Sequence, residues 1–189
     1  MGISKRQRYK AGAIAKIGLH NNRMAFGRLL PGVASIICVY DFVVNENEQV
    51  SVDDILKNPV LFCCGLYRTI ITKGTFEIIG IREFTENEIK NISPLFTQDI
   101  VNIKDCVIWW PTGEERKASP EECVGLERSA VWTEEGLIER IDDHYAGKRN
   151  FHVEDQKVIL SEEDPRYLAP PGMLRWDFEK QVFYRTDTP

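Results

Sequence analysis

The chain of 189 residues contains 43% hydrophobic and 28% charged residues and carries a net charge of −5. These values are ordinary for a globular protein, and the length is typical of one domain with an appendage. No apolar run approaches the roughly 18 residues of a membrane-spanning helix, so we expect no membrane span.

The first third of the chain has the pattern of an antiparallel β-meander. Apolar residues recur at every second position over 13–19, which is typical of a half-buried strand. The sequence HNN at 20–22 predicts a turn, because asparagine tolerates a positive φ. The runs at 23–30 and 35–44 predict two further strands, and the second is apolar enough to be buried on both faces.

Gly27 and Arg28 interrupt the second of these strands. Alternation places Phe26 and Arg28 on one side of the strand and Gly27 on the other. A glycine inside a strand indicates close approach by a neighbouring strand or large side chain, or tight coiling of the sheet. Arg28 is expected to pair with a carboxylate across the sheet through the two bonds of its planar guanidinium. We therefore predict a structural role for Arg28 first and a binding role second.

Three helix starts follow the meander. Ser51 precedes two aspartates and heads a short helix, since a hydroxyl at this position accepts a bond from the first turn. Thr85 and Glu88 have the spacing of a capping box. Thr133, followed by two glutamates, is the predicted cap of the main helix over 133–147.

Further strands are predicted between and after these helices. The runs at 60–67 and 75–84 have strand-sized apolar stretches interrupted by glycine. The segment 105–119 predicts a strand and a hairpin turn at its Pro-Thr-Gly. A last short strand is expected over 180–185.

Together these elements predict an α+β fold. We expect a mostly antiparallel, strongly coiled β-sheet or a small barrel, with one main helix and short helical turns. Residues 1–150 are expected to form a single β-rich domain, and 151–189 a C-terminal extension packed on it.

The cysteines and the N-terminus favour a cytoplasmic protein. There are five cysteines, an odd number, and most are expected to be reduced and buried. Cys63 and Cys64 are adjacent and should point to opposite faces of a strand. No ligand spacing typical of zinc is present, so no metal site is expected. The basic start has no apolar core of signal-peptide length behind it.

Charge is unevenly distributed along the chain. Residues 1–40 contain seven basic and no acidic residues, whereas 114–164 contain fifteen acidic and seven basic ones. The acidic segment is either a solvated surface that maintains solubility or a face that attracts a basic partner. Nucleic-acid binding is not expected, because the whole chain is acidic.

No sequence motif indicates catalysis. The chain lacks nucleotide-binding, metalloprotease, serine-hydrolase and calcium-loop patterns. Its three histidines have no clear nucleophilic partner, and its paired glutamates and aspartates are adjacent in sequence and do not converge on one point. We therefore expect no enzymatic activity, no catalytic residues and no cofactor.

Several ordered segments resemble the immunity protein 26 family of bacterial polymorphic toxin systems. The resemblance is carried by KAGAIAKIGLHNNRMAFGRLL, ICVYDF, PVLFCCGLYRTIITKGTFEIIGIREF, SPLFTQD and GEERKASPEECVGLERSAVW, over about residues 9–145. Its most specific part is the early hairpin that returns through Phe26, Gly27 and Arg28.

The resemblance implies a non-enzymatic protein that binds and neutralises a cognate toxin. A basic nuclease is one candidate toxin, because the acidic segment would attract it. The residues expected to carry the interface are all acidic: Glu114, Glu115, Glu121, Glu122, Glu139, Asp142 and Asp143.

Two alternatives remain open at the level of sequence. One is a module that binds nucleic acid or a small ligand on a small β-barrel, using the basic first 40 residues and the aromatic residues Tyr9, Trp109 and Trp110. The other is a hydrolase with a carboxylate cluster, which would need a deep pocket with converging acidic side chains.

Overall fold

The computed structural model describes residues 6–32, 35–167 and 174–185. Its described residues form twelve strands and five helices. The strands are β1 Ala13–Gly18, β2 Arg23–Leu29, β3 Ile36–Asn45, β4 Val60–Leu66, β5 Glu77–Ile81, β6 Leu95–Gln98, β7 Cys106–Trp109, β8 Glu115–Ala118, β9 Glu127–Arg128, β10 Val131–Trp132, β11 Leu174–Asp177 and β12 Val182–Arg185. The helices are α1 Val52–Leu56, α2 Arg68–Thr72, α3 Glu86–Lys90, α4 Glu134–Tyr145 and α5 Phe151–Gln156.

The strands form three sheets. The largest has six strands in the order β10-β4-β3-β2-β1-β5, the second has the order β8-β7-β6-β9, and the third is the hairpin β11-β12. All pairs are antiparallel except β10 with β4 and β6 with β9. The α+β class and the mostly antiparallel pairing are therefore confirmed.

None of the described sheets closes into a barrel, so that part of the prediction is wrong. The six-stranded sheet ends at β10 and β5, which each pair with one neighbour. The chain after β5 returns to this sheet only as β10, which pairs with β4 and not with β5, whereas β6 to β9 pair with one another. Bulges interrupt the pairing of β1 with β5, β2 with β3 and β3 with β4.

The six-stranded sheet is buried on both faces. On one face, Ala13, Ala15 and Ile17 of β1 pack in a core that also contains Leu137 and Ile141 of α4. Other clusters, around Ile14 and around Leu30, cover the opposite face. This explains the nearly continuous apolar sequence of β3, whose first five residues are all buried.

The predicted caps begin their helices as expected. The Ser51 side chain accepts a hydrogen bond from the Asp54 amide, and the Thr133 side chain accepts one from the Gly136 amide. Thr85 and Glu88 form a complete capping box. The main helix α4 is confirmed, whereas α2 and α5 are too short to have a clear helical period in the sequence.

Two of the five cysteines are joined, so these two depart from the reduced state on which the cytoplasmic prediction partly rests. Cys38 of β3 lies directly opposite Cys63 of β4, and the two form a disulfide. The remaining three, Cys64, Cys106 and Cys123, are free and buried, as expected for reduced cysteines. Cys63 and Cys64 pack in different core clusters, which confirms their opposite directions.

In the described part of the chain, no helix is long and apolar enough to span a membrane.

Candidate partner-binding surface

A cleft of about 480 Å³ opens where the six-stranded and four-stranded sheets meet. Strands β3 and β4 form one side, and α3, the start of β6 and β9 form the other. Its lining combines aromatic and aliphatic residues, including Tyr40, Phe62 and Phe84, with polar groups that contribute about half of the exposed surface. Among the described residues that line it, only Glu88 and Glu127 are charged.

Arg28 lies beside this cleft and is completely buried. Its Nη1 donates to Glu88 Oε1 at 2.8 Å, and its Nε donates to the Arg82 carbonyl at 2.9 Å. The guanidinium carbon is 3.6 Å from the centre of the Phe84 ring. The expected pairing of Arg28 with a carboxylate is thus confirmed, but Glu88 accepts one bond from it rather than two.

The capping box of α3 holds Glu88 in this position. Glu88 Oε2 accepts from the Thr85 amide at 2.7 Å, which leaves Oε1 to face Arg28. Partial burial raises the pKa of Glu88, but the hydrogen bonds from Arg28 and Thr85 outweigh it and lower the pKa overall. Glu88 is therefore ionised at neutral pH.

A second arginine–glutamate pair lies at the β9 side of the cleft. Arg140 of α4 donates to both carboxylate oxygens of Glu127, at 3.1 and 2.5 Å. Its guanidinium carbon is 3.5 Å from the centre of the Phe62 ring. The Arg140 side chain is 8% exposed and that of Glu127 30% exposed, so the arginine is again the buried partner.

Four of the predicted interface residues lie in or just after the β7–β8 hairpin. Glu114, Glu115, Glu121 and Glu122 are all exposed. Glu122 forms an ion pair with Arg116 at 2.8 Å. Hydrogen bonds from Ser119 lower the pKa of both Glu121 and Glu122. Glu121 and Glu122 are therefore ionised at neutral pH, and all four glutamates are accessible to a partner.

The other three lie on α4, and two of them make internal contacts. Asp142 accepts from Arg23 at 2.5 Å and lies 2.6 Å from His20 Nδ1. Asp143 accepts from the Asn150 side chain at 2.8 Å. Glu139 is exposed, 3.8 Å from His152 Nε2. Within the described ranges, no hydrogen bond or ion pair joins this group to the hairpin group.

The other candidates from the sequence are three aromatic residues and possible metal ligands, and the described residues place neither kind in a binding site. Tyr9, Trp109 and Trp110 are all half-buried and pack against core clusters, so they form no exposed aromatic platform. Over the residues that the structure covers, no three histidine, cysteine, aspartate or glutamate side chains are grouped to hold a metal ion.

Sequence reasoning missed both carboxylates of the cleft. Glu88 was identified only as part of a capping box, and Glu127 was not identified at all. A buried arginine in a strand indicates that a carboxylate lies nearby, but its position along the chain depends on how the two sheets meet. Glu88 lies 60 residues after Arg28 in the sequence.

The family model of Immunity protein 26 matches residues 10–107. The chain belongs to the immunity protein 26 family. No curated protein and no solved structure matches the chain.

The matched residues of this immunity protein 26 family member run from β1 into β7. They include Arg28, Tyr40 and Glu88 of the cleft. All seven acidic residues predicted for the interface lie after residue 107, and so does Glu127. The family match therefore covers the lining of the cleft except Gly125, Leu126 and Glu127, and it does not bear on the acidic hairpin or on α4.

Proposed function

We propose that this immunity protein 26 family member neutralises a cognate bacterial toxin by binding it, without a catalytic reaction of its own. The observation that carries the proposal is the family match over residues 10–107. The protein is expected to act inside the cell that makes the toxin, or in its kin.

The acidic residues of the proposed interface, here called the acidic surface, would attract a basic toxin such as a nuclease. Residues 114–164 contain fifteen acidic and seven basic residues. The proposed interface comprises all seven predicted carboxylates and is led by the five exposed ones, because Asp142 and Asp143 already accept bonds within the chain. Such a charged surface acts mainly on the rate of association.

Co-expression tests the function directly. The products of neighbouring toxin genes would each be expressed in bacteria with and without this protein, and growth would be measured. We expect growth to be restored with one of them. Unchanged toxicity with every neighbouring candidate would overturn the proposal.

Association kinetics with the neutralised toxin test the acidic surface. The variant Glu114→Lys/Glu115→Lys/Glu121→Lys should lower the association rate constant about tenfold or more at low salt, because steering by charge contributes factors of that size. The difference should shrink at high salt, where exposed charges are screened. Glu139→Lys tests the helix group separately.

A matched charge reversal elsewhere provides the control. Glu46, Glu83 and Glu179 are exposed and outside the proposed interface, and Glu46→Lys/Glu83→Lys/Glu179→Lys changes the net charge equally. If the control slows association as much as the hairpin variant, only the net charge matters and the location of the interface is wrong.

A further inference from the structure

We propose that the cleft between the two larger sheets binds an arginine side chain presented by the toxin. This inference rests on the proposed function and adds a specific anchor point to it. Neither glutamate of the cleft is among the seven carboxylates of the proposed acidic interface.

The charges around the cleft favour a cation. Of the described lining residues, two are glutamates and none is lysine, arginine or histidine. The two neighbouring guanidiniums are buried, because the Arg28 side chain is 0% exposed and the Arg140 side chain 8% exposed. Their carboxylate partners are more exposed, at 44% for Glu88 and 30% for Glu127. Each ion pair therefore presents its negative member to the cavity.

Both carboxylates keep acceptor capacity for a ligand. An ionised carboxylate has about four lone-pair sites. Glu127 uses two of these sites for Arg140. Glu88 Oε1 accepts from Arg28, and its Oε2 accepts from both the amide and the hydroxyl of Thr85. One acceptor site therefore remains on Glu88 and two remain on Glu127, so either glutamate can accept a bond from an incoming guanidinium without breaking its internal pair.

The shape and the remaining lining favour arginine over lysine. The cavity of about 480 Å³ lies within the usual range of about 300–1,000 Å³ for ligand pockets. Aromatic and aliphatic side chains form part of its lining, including Phe62, Phe84 and Leu95. The two phenylalanine rings already contact internal guanidiniums, at 3.6 Å for Phe84 and 3.5 Å for Phe62. A guanidinium is planar, weakly hydrated and stacks on aromatic rings, whereas the ammonium of lysine is compact and strongly hydrated.

A titration with a small probe tests this site without the toxin. The full-length protein would be titrated with N-acetyl-arginine N-methylamide, and backbone amide shifts would be followed by NMR. The matched probe carries citrulline, which has nearly the same shape but no charge. We expect saturable shifts near Phe62, Glu88 and Glu127, with at least about tenfold weaker binding of the citrulline probe, since one charge-assisted bond is worth about that factor.

Equal binding of the two probes, or shifts confined to the acidic hairpin, would overturn the proposal. A third titration uses free arginine as the ligand. If it binds more tightly than the capped probe, the cleft recognises the free amino acid rather than a partner's side chain, and the assignment to the toxin is wrong.

Two kinds of variant separate binding from folding. Glu127→Gln should weaken binding of the arginine probe about tenfold, whereas Glu46→Gln, an exposed position outside the cleft and outside the proposed interface, should leave it unchanged. Ser93 lines the cleft and takes part in neither ion pair, so Ser93→Phe should block the probe even if removal of a glutamate unfolds the protein. Probe binding that persists in folded Ser93→Phe contradicts the site.

The two proposals fail in different ways. If the probe binds but no neighbouring toxin is neutralised, the proposed function is wrong. If a toxin is neutralised and folded Ser93→Phe binds it as tightly as the unaltered protein does, the cleft is not the anchor point and only this inference is wrong.

Discussion

Arg28 is a fully buried cation near the end of β2, held by a half-exposed carboxylate and a backbone carbonyl. Its stem and guanidinium fill space beside Phe84, so it also acts as a large core side chain. Its Nη2 is buried without a hydrogen-bond partner among the described residues. This arrangement supports a structural role for Arg28, which positions Glu88 at the cleft.

Replacement of Arg28 should therefore lower stability. Arg28→Met keeps an unbranched stem but loses the bonds to Glu88 and Arg82, so we expect the free energy of unfolding to fall by about 1.5–3 kcal/mol, the range for hydrogen bonds of charged groups. Urea unfolding measures this change.

An exposed arginine provides the comparison for that measurement. Arg116 also pairs with a glutamate, but its side chain is 49% exposed, so Arg116→Met should change stability by less than about 0.5 kcal/mol. Equal effects of the two substitutions would mean that burial of Arg28 contributes nothing.

At the scale of elements, Gly27 allows β2 and β3 to pack closely. A Cβ at position 27 would lie 2.5 Å from Ile37 Cδ1 and 2.6 Å from Cγ1. The Ile37 side chain thus occupies the space that any other residue at 27 would need. The pairing of β2 with β3 shifts register between Ala25 and Gly27, so a bulge accompanies the close contact.

Gly27→Ala should destabilise the protein by about 1–3 kcal/mol, as expected for overpacking a filled core. Ile37→Ala should relieve the clash, so the double variant should lose less stability than the two single changes added together. Gly18→Ala is the control, because nothing lies within 4 Å of its added Cβ. If Gly18→Ala lost as much stability, the effect would come from replacing any strand glycine and not from the contact with Ile37.

At the scale of the whole molecule, the core extends beyond the family match. The match ends at residue 107, but Trp132, Leu137 and Ile141 belong to the same buried cluster as β1 to β4. Residues beyond the matched segment therefore complete the main core. The predicted boundary at 150 stays a prediction, while Val153 of α5 packs against this cluster.

The Cys38–Cys63 disulfide should stabilise the whole molecule. It joins residues separated by 25 positions, and restriction of the unfolded chain by a loop of this size is worth about 3 kcal/mol. Reduction should lower the free energy of urea unfolding by about that amount. Cys38→Ala/Cys63→Ala should not respond to the reductant, and five free thiols in the unreduced protein would contradict the bond.

Local patterns predicted the elements whose signals lie close together in the sequence. The β-meander, the caps at Ser51, Thr85 and Thr133, and the helix α4 were all recognised in this way. The short helices α2 and α5 and the strands β6, β9, β10 and β11 were missed, because two to six residues contain too little period to distinguish them from loops.

The sequence by itself determined the class of fold, the direction of the Arg28 side chain and its need for a carboxylate. These follow from strand alternation and from the cost of burying an unpaired charge, both of which are local properties. Only the tertiary structure decided which carboxylate it is, that the sheets remain open, and that Cys38 meets Cys63. Such pairings join residues distant in sequence, and they depend on how sheets and helices pack against one another.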